Sequence, residues 1–280
     1  MIRVVRDKLR DCTEKNNSLV CCGLDPDLTK MPSMLVANRK AEDAIYEFLK
    51  TVVDLTADHV CAYKIQKAFF DTYQGGKELL TRVVHYITQR AASVPTIIDC
   101  KIGDIDNTME AYFRSIFSDI GADSVVLNPY MGPDVWKPLS SYPTKAGVVL
   151  VRTSNSGSRM IQEVRLVGDQ PLWRHILSIL VAEWQGGANL FPVLSSNSTE
   201  GLYNIRNLIP NDMPVLLAGV GAQGGSLECI KHLLDSDRGG LMVNSSRALL
   251  YPYSVDNPIW EDAVMDAVIK LKASINAQRQ

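Results

Sequence analysis

Eight short apolar runs constrain the fold of this chain more than any other feature. The runs are nearly continuous in apolar character, as expected of strands that are buried on both faces. Segments with helical periodicity separate them, and such strand–helix alternation predicts a parallel sheet in an α/β fold. Eight units in about 250 residues is typical of a (β/α)8 TIM barrel. We therefore predict one barrel domain over residues 1–280, with strands at Ser18–Gly23, His59–Ile65, Thr96–Cys100, Ser124–Asn128, Gly147–Arg152, Leu190–Leu194, Val215–Ala218 and Gly240–Asn244.

The segments between the runs predict the helical layer of the barrel. An additional helix, Val4–Glu14, is expected before the first strand, and the crossover around Asp134–Leu139 is short. The longest loop, Ser154 to Gln170, follows the fifth strand and is a candidate mobile cover. The other predicted helices are Ala41–Ala57, Lys77–Arg90, Thr108–Ile120, Leu172–Trp184, Gly201–Leu208, Ser226–Leu234 and Ile259–Ala277.

Composition narrows the class of protein. The 280 residues carry a net charge of -2 and no basic run, which argues against nucleic acid as the main partner. No apolar stretch approaches the length of a membrane span, and no signal-like segment begins the chain. The six cysteines form no CxxC pair and no Cys/His zinc spacing, so we expect core thiols. Together these features predict a cytoplasmic protein that acts on a small molecule.

Charged residues are concentrated at the predicted strand ends, where barrels carry their chemistry. Asp99 and Lys101 are two apart on one strand, so their side chains face the same way with Cα atoms about 6.5 Å apart. Lys64 ends the neighbouring strand and Asp25 ends the first. A buried structural ion pair is one interpretation of Asp99 and Lys101. Their neighbours favour an alternating charge network in the mouth of the barrel, with Cys100 facing the helices.

A glycine-rich segment, Gly219-Val-Gly-Ala-Gln-Gly-Gly225, follows the seventh strand and matches the pattern GxGxxG. A dinucleotide site also requires an acidic residue at the end of the next strand, where this chain has Asn244 and then Arg247. Barrels often bind phosphate after strands seven and eight, through backbone N–H groups and a bidentate arginine. A phosphate site is therefore favoured over a dinucleotide site or a plain turn.

Taken together, these motifs resemble the orotidine 5'-phosphate decarboxylase family, in its longer bacterial-type branch. The resemblance covers the chain from about Cys22 to Tyr251. Three positions depart from that branch: Ile102 replaces an arginine, Leu194-Ser-Ser196 replaces a Gly-Ala-Thr-like turn, and Ala218 replaces a proline. The matching segments are Gly23-Leu-Asp25-Pro-Asp27, Ala62-Tyr-Lys64, Phe69-Phe70, Asp99-Cys-Lys101-Ile-Gly-Asp104-Ile, Asn128-Pro-Tyr130, Arg152-Thr-Ser-Asn155, Gly219-Val-Gly-Ala-Gln-Gly224 and Ser246-Arg247-Ala.

The resemblance implies decarboxylation of orotidine 5'-phosphate to UMP and CO2, the last step of UMP biosynthesis, without metal or cofactor. Lys101 would stabilise the carbanion and donate the proton. Asp99 would lie against the departing carboxylate, and Lys64 would link Asp25, Asp99 and the ribose hydroxyls. The family also implies a homodimer, in which Asp104 and Thr108 reach the partner's site. The remaining implied contacts are Ser154 with the pyrimidine, and Gly221, Gln223, Gly224 and Arg247 with the 5'-phosphate.

Three other functions remain open from the residues themselves. A Schiff-base aldolase also uses a lysine on a barrel strand, although it needs a neutral amine, which carboxylate neighbours oppose. A metal-dependent phosphosugar decarboxylase or epimerase shares the D-x-K-x-x-D pattern, but Lys64 lies where a metal site requires an acid. From a different class, the chain could be a phosphate-binding barrel without catalytic activity.

Overall fold

The computed structural model describes residues 5–197, 202–203, 205–220 and 225–279, and its eight parallel strands form a closed barrel. Each strand pairs with the next along the chain, and the first pairs with the eighth. The predicted TIM barrel and all eight predicted strands are therefore confirmed, with boundaries shifted by at most three residues. The strands are β1 Val20–Leu24, β2 Ala62–Gln66, β3 Thr96–Ile102, β4 Ser124–Leu127, β5 Ala146–Leu150, β6 Leu190–Ser195, β7 Val215–Ala218 and β8 Leu241–Ser245.

The strands are buried on both faces, which explains their nearly continuous apolar character. Cys21 of β1 and Ile97 of β3 belong to a hydrophobic cluster that fills the barrel. Cys22 and Ile98, one residue further along each strand, belong to the cluster under the helices. This alternation assigns successive side chains to the inside and the outside of the barrel.

The additional N-terminal helix is confirmed, at Val5–Asn16, while Val4 lies outside the described residues. Val5 and Leu9 are buried and belong to the cluster inside the barrel. Lys8 Nζ donates to Asp123 Oδ2 at 2.7 Å, which ties the helix to the start of β4. The helix therefore closes the amino-terminal end of the barrel and leaves the opposite end open.

The long predicted helices are confirmed within two residues, whereas several shorter ones differ. The crossover around Asp134–Leu139 consists of two 3-10 helices, because its prolines remove the N–H groups that a continuous α-helix requires. Thr108–Ile120 was predicted as one α-helix, but it begins at Asp106 and its second half, Arg114–Asp119, is π-helical. The long α-helices are Ala41–Thr56, Gly76–Arg90, Leu172–Gln185 and Trp260–Ala277.

The crossover that follows β7 is not the α-helix that the sequence predicts, and the crossover before β7 is described only in part. Ser226–Leu234 contains the 3-10 helix Leu227–His232, whose six residues are too few to favour an α-helix without further packing. The predicted helix Gly201–Leu208 lies partly outside the described residues, and its described end, Ile205–Leu208, is also a 3-10 helix. In the described part of the chain, no helix is both long and apolar enough to cross a membrane.

Candidate active site

A cavity of about 750 Å³ lies at the open, carboxyl-terminal end of the barrel. All eight strands, or the loops that follow them, contribute to its walls. Its apolar wall comes from β4 to β7 and includes Val126, Leu150, Val193 and Leu216. Six of the residues expected at the site line this cavity: Asp25, Lys64, Asp99, Lys101, Ser154 and Arg247.

The charged floor of the cavity is built around Asp99. One carboxylate oxygen, Oδ2, accepts a hydrogen bond from Lys64 Nζ at 2.9 Å, and the other, Oδ1, accepts from Lys101 Nζ at 2.6 Å. Asp99 and Lys64 are both only 7% exposed, whereas Lys101 is exposed to the cavity. A single carboxylate therefore holds two ammonium groups, one buried and one accessible to a ligand.

The backbone of β3 departs from a regular strand at this point. Lys101 has φ 48°, a left-handed conformation that is uncommon for a non-glycine residue. The pairing of β3 with β4 shifts register between Ile98 and Ile102, as in a β-bulge. Cys100 packs against the helix-side cluster, as strand alternation predicted. Bulges of this kind redirect side chains next to functional sites, and strained residues persist where the surroundings hold them.

Electrostatic interactions keep this network charged despite its burial. Burial alone would raise the pKa of Asp99, but the ammonium groups of Lys64 and Lys101 outweigh it and hold that pKa below the usual carboxyl value. Burial also opposes the charge of Lys64, yet Asp99 and Asp25 raise the pKa of Lys64 above its usual value. Lys64 is therefore an ammonium at neutral pH, which is the form that a buried ion pair requires.

Among the described residues that line the cavity, two buried acceptor atoms have no hydrogen-bond partner. They are Asp25 Oδ1, after β1, and Asn244 Oδ1, on the neighbouring strand β8. Buried polar atoms are nearly always hydrogen-bonded in proteins, so an unpaired acceptor on a residue that lines a cavity indicates a site for a donor from a ligand or water. Hydroxyl groups of a sugar are donors of this kind.

Gln66 is a site residue that the sequence reasoning missed. It ends β2, is in register with Asp99, and lines the cavity. With the amide oriented to satisfy its neighbours, its oxygen accepts from Lys101 Nζ at 3.1 Å and its nitrogen donates to the Asp99 carbonyl. The available signal was its position two residues after Lys64, on the same face of the strand.

The predicted cover after β5 folds back over one side of the cavity. Thr153 N–H donates to Gln162 Oε1 at 2.9 Å, and Gln162 Nε2 donates to Thr153 Oγ1 at 2.9 Å. The guanidinium of Arg152 forms an ion pair with Glu163 and lies 5.2 Å from the ring centroid of Trp173. These contacts join the two ends of the segment from 153 to 162, which contains Ser154.

The structure describes only part of the glycine-rich segment that is expected to bind the phosphate. Gly219 has φ 90°, which favours glycine, and its carbonyl accepts from Gly225 N–H at 3.1 Å. The two ends of the glycine-rich loop are thereby held together. Arg247 begins a one-turn helix after β8 and is exposed to the cavity. The expected phosphate contacts Gly221, Gln223 and Gly224 lie outside the described residues.

Asp104 and Thr108 do not line the cavity of their own chain. Asp104 Oδ1 accepts from the N–H of Ile105 at 2.8 Å, and Thr108 lies exposed on the helix Asp106–Phe113. Their predicted role in a partner's site remains a prediction. Across the described residues, no group of three or more His, Cys, Asp or Glu side chains is placed to hold a metal ion.

Comparisons with known proteins agree on one family. Residues 18–250 match the model of the Orotidine 5'-phosphate decarboxylase / HUMPS family. An orotidine 5'-phosphate decarboxylase of Dechloromonas aromatica is 38% identical over 246 residues, which cover 88% of this chain and 89% of the relative. The solved OMP decarboxylase of Leishmania donovani has a TM-score of 0.82 and 29% identity, covering 98% of this chain and 97% of that one.

One solved relative is longer. The UMP synthase of Leishmania donovani has a TM-score of 0.84 and 30% identity, and the match covers 99% of this chain but 57% of that protein. The present chain therefore corresponds to slightly more than half of that longer enzyme.

Proposed function

Because the chain belongs to the orotidine 5'-phosphate decarboxylase / HUMPS family, we propose that it converts orotidine 5'-phosphate to UMP and CO2 without a metal or an organic cofactor. The observation that carries this proposal is the floor of the cavity, where Asp99 holds Lys64 and Lys101. Loss of CO2 from C6 of the pyrimidine leaves an electron pair on carbon, so the reaction needs a fixed positive charge and a proton donor. Lys101 provides both.

The proposed chemical step is simple to balance. The bond between C6 and the carboxyl carbon breaks, the carboxyl group leaves as CO2, and its bonding electrons stay on C6. Lys101 then donates one ammonium proton to C6, and the neutral amine regains a proton from water. The carboxylate of Asp99 and the amide oxygen of Gln66 both accept from Lys101 Nζ, so they aim this group before the substrate arrives.

Asp99 has a second proposed role, which depends on its fixed position. In the proposed complex the substrate carboxylate lies against Asp99, so the negative charge of Asp99 disfavours the bound carboxylate more than the transition state. The 2.9 Å bond from buried Lys64 keeps Asp99 in place and ionised during this contact.

Binding of the rest of the substrate follows from the shape of the cavity. Arg247 and the first residue of the glycine-rich segment, Gly219, line the cavity and would hold the 5'-phosphate, and Ser154, also in the lining, would contact the pyrimidine. The unpaired Asp25 Oδ1 suits a ribose hydroxyl. Binding energy gained at the phosphate, far from C6, would help hold the cover closed around the reacting atoms.

The two alternative enzyme classes are separated by simple assays. A Schiff-base aldolase requires a neutral lysine, which forms a Schiff base with the substrate. Borohydride added with substrate would trap that Schiff base and inactivate the enzyme covalently. A metal-dependent enzyme of the same family would lose activity in EDTA and regain it with Mg²⁺. We expect UMP formation to survive exhaustive chelation and no borohydride adduct to form. Activity that returns only with Mg²⁺ would refute the metal-free mechanism.

We further propose that the protein works as a homodimer with shared active sites, in the cytoplasm. Asp104 and Thr108 do not line their own cavity, and Ile105 and Tyr112 beside them are 42% and 43% exposed. Exposed apolar residues beside polar side chains that do not line the chain's own cavity suit an interface. A twofold pair would make the exchange reciprocal, since each chain would complete the site of the other.

The shared site is tested by complementation. Lys101→Ala and Asp104→Ala proteins, each nearly inactive, should regain activity when they are mixed. A heterodimer holds one site with both lesions and one with neither, so random exchange restores about a quarter of the sites. No recovery after verified subunit exchange would place both residues in the same subunit's site.

A further inference from the structure

Tyr251 makes an unusual pair of hydrogen bonds to the loop that carries Asp25. Its hydroxyl accepts from the backbone N–H of Asp27 at 2.7 Å and donates to the backbone carbonyl of Asp25 at 3.1 Å. The two bonds span Pro26, which has no N–H of its own. The residue before a proline is also restricted to extended conformations. The hydroxyl therefore fixes the backbone on both sides of Pro26, and with it the direction of the Asp25 side chain.

The ring of Tyr251 is itself held firmly. It stacks on Phe48 with centroids 5.6 Å apart and an angle of 3° between the planes, and Tyr253 packs against it edge-on at 6.4 Å. Phe48 is fully buried in the helix Ala41–Thr56. Burial raises the pKa of Tyr251, so its hydroxyl keeps the proton that it donates to Asp25.

The position of Asp25 matters because of what surrounds its carboxylate. Asp25 lines the cavity with Oδ1 buried and unpaired, and its charge helps raise the pKa of Lys64. A buried acceptor is useful to a ligand only if it is aimed correctly, since hydrogen bonds weaken steeply with misalignment. An Asp25 that turned away would also weaken the support for Lys64.

We propose that Tyr251 is a positioning residue that aims Asp25 at a ribose hydroxyl of the nucleotide. This inference rests on the proposed function, because it assumes a ribonucleotide in the cavity. Tyr251 acts through the loop and does not touch the ligand. Its contribution is to the recognition of the sugar, and it leaves the phosphate and pyrimidine contacts unchanged.

The chain offers a matched control. Tyr253 packs in the same aromatic group, and its hydroxyl is buried without a hydrogen-bond partner among the residues that the structure describes. Tyr251→Phe and Tyr253→Phe each remove one buried hydroxyl, but only the first cuts the link to Asp25. The experiment measures the dissociation constants of UMP, 2'-deoxy-UMP and 3'-deoxy-UMP for wild type and both variants. Asp25→Asn serves as the reference for a lost carboxylate.

We expect wild type to bind UMP about tenfold to hundredfold more tightly than the deoxy analogue that lacks the contacted hydroxyl, as for a hydrogen bond to a charged group. Tyr251→Phe should reduce this ratio by at least about threefold, through weaker UMP binding, and Tyr253→Phe should leave it unchanged. The ratio does not depend on the folded fraction, so a general loss of stability would not change it. If Tyr251→Phe does not fold, Phe48→Leu, which keeps the hydroxyl but removes the stacking ring, should lower the ratio instead.

Three results would overturn the inference. The first is a ratio in Tyr251→Phe equal to that of wild type, and the second is an equal fall in Tyr253→Phe. The third is wild-type protein that binds UMP without distinguishing either deoxy analogue, because Asp25 would then have no ribose contact to aim. Wild-type protein that binds no UMP at all would instead refute the proposed function, which separates the two failures.

Discussion

Replacement of Asp99 by asparagine tests the charge network through stability, independently of any substrate. Asp99→Asn keeps the shape of the side chain but removes the charge that holds the buried ammonium of Lys64 at 2.9 Å. Removal of one partner of a buried ion pair typically costs 3–5 kcal/mol, because the other charge stays buried without compensation. Water in the open cavity offsets part of this cost, so we expect a loss of about 3 kcal/mol at pH 7.

The loss should depend on pH in a direction that follows from the pKa of Lys64. In wild type this pKa lies above its unfolded value, so the stabilisation is fully present below the unfolded pKa and disappears only as pH rises through the folded pKa. Asp99→Asn removes the negative charge that opposes the effect of burial on Lys64. Burial should then bring the pKa of Lys64 below its value in the unfolded chain. The unfolded chain then binds more protons, and the stability of the variant rises with pH.

The assay is urea unfolding of both proteins at pH 7 and at pH 9.5, followed by circular dichroism. The difference in unfolding free energy should be about 3 kcal/mol at pH 7 and clearly smaller at pH 9.5. A variant as stable as wild type at pH 7, or a difference that does not shrink, would show that Lys64 does not depend on Asp99.

Three further variants probe other parts of the site. Lys101→Ala should lower kcat by at least about a thousandfold and leave UMP affinity within about threefold, because it removes the proton donor but not the phosphate contacts. A kcat near that of wild type would refute the role of Lys101. Arg247→Ala should weaken UMP binding by about a hundredfold and hardly change uridine binding, with both affinities measured by calorimetry. An equal loss of affinity for both ligands would refute the phosphate contact. Glu163→Gln should remove the ion-pair partner of the partly buried Arg152 guanidinium and raise KM for orotidine 5'-phosphate by about threefold to tenfold. An unchanged KM would mean that the ion pair does not position Ser154.

The barrel could be predicted from the sequence because its strands are buried on both faces. Continuous apolar runs such as Val215–Ala218 have no solvent-facing residues to interrupt them, and their spacing fixes the number of units. The short crossovers were harder to predict. Leu227–His232 has the buried residues of a helix, but its 3-10 geometry results from chain length and tertiary packing.

The charged floor was predictable in outline and not in detail. Alternation along a strand places Asp99 and Lys101 on one face, and the structure brings both to the cavity. The left-handed backbone of Lys101 has no sequence signal, because no glycine marks the bulge. Gln66 is a neutral residue at a strand end, and its contacts with Lys101 and Asp99 become visible only in the structure. The hydroxyl of Tyr251 contacts the carbonyl of Asp25, which lies 226 positions earlier in the sequence. No sequence pattern connects two residues so far apart.

Metal-free decarboxylation with Lys101 as the acid is tested by following the delivery of a proton to C6 with NMR. Chelated protein is mixed with orotidine 5'-phosphate in D2O, and the product is examined by proton NMR. We expect UMP that carries deuterium at C6, formed by wild type without added metal and absent with Lys101→Ala. No UMP until Mg²⁺ is restored, or undiminished UMP from Lys101→Ala, would contradict a metal-free decarboxylation with Lys101 as the acid.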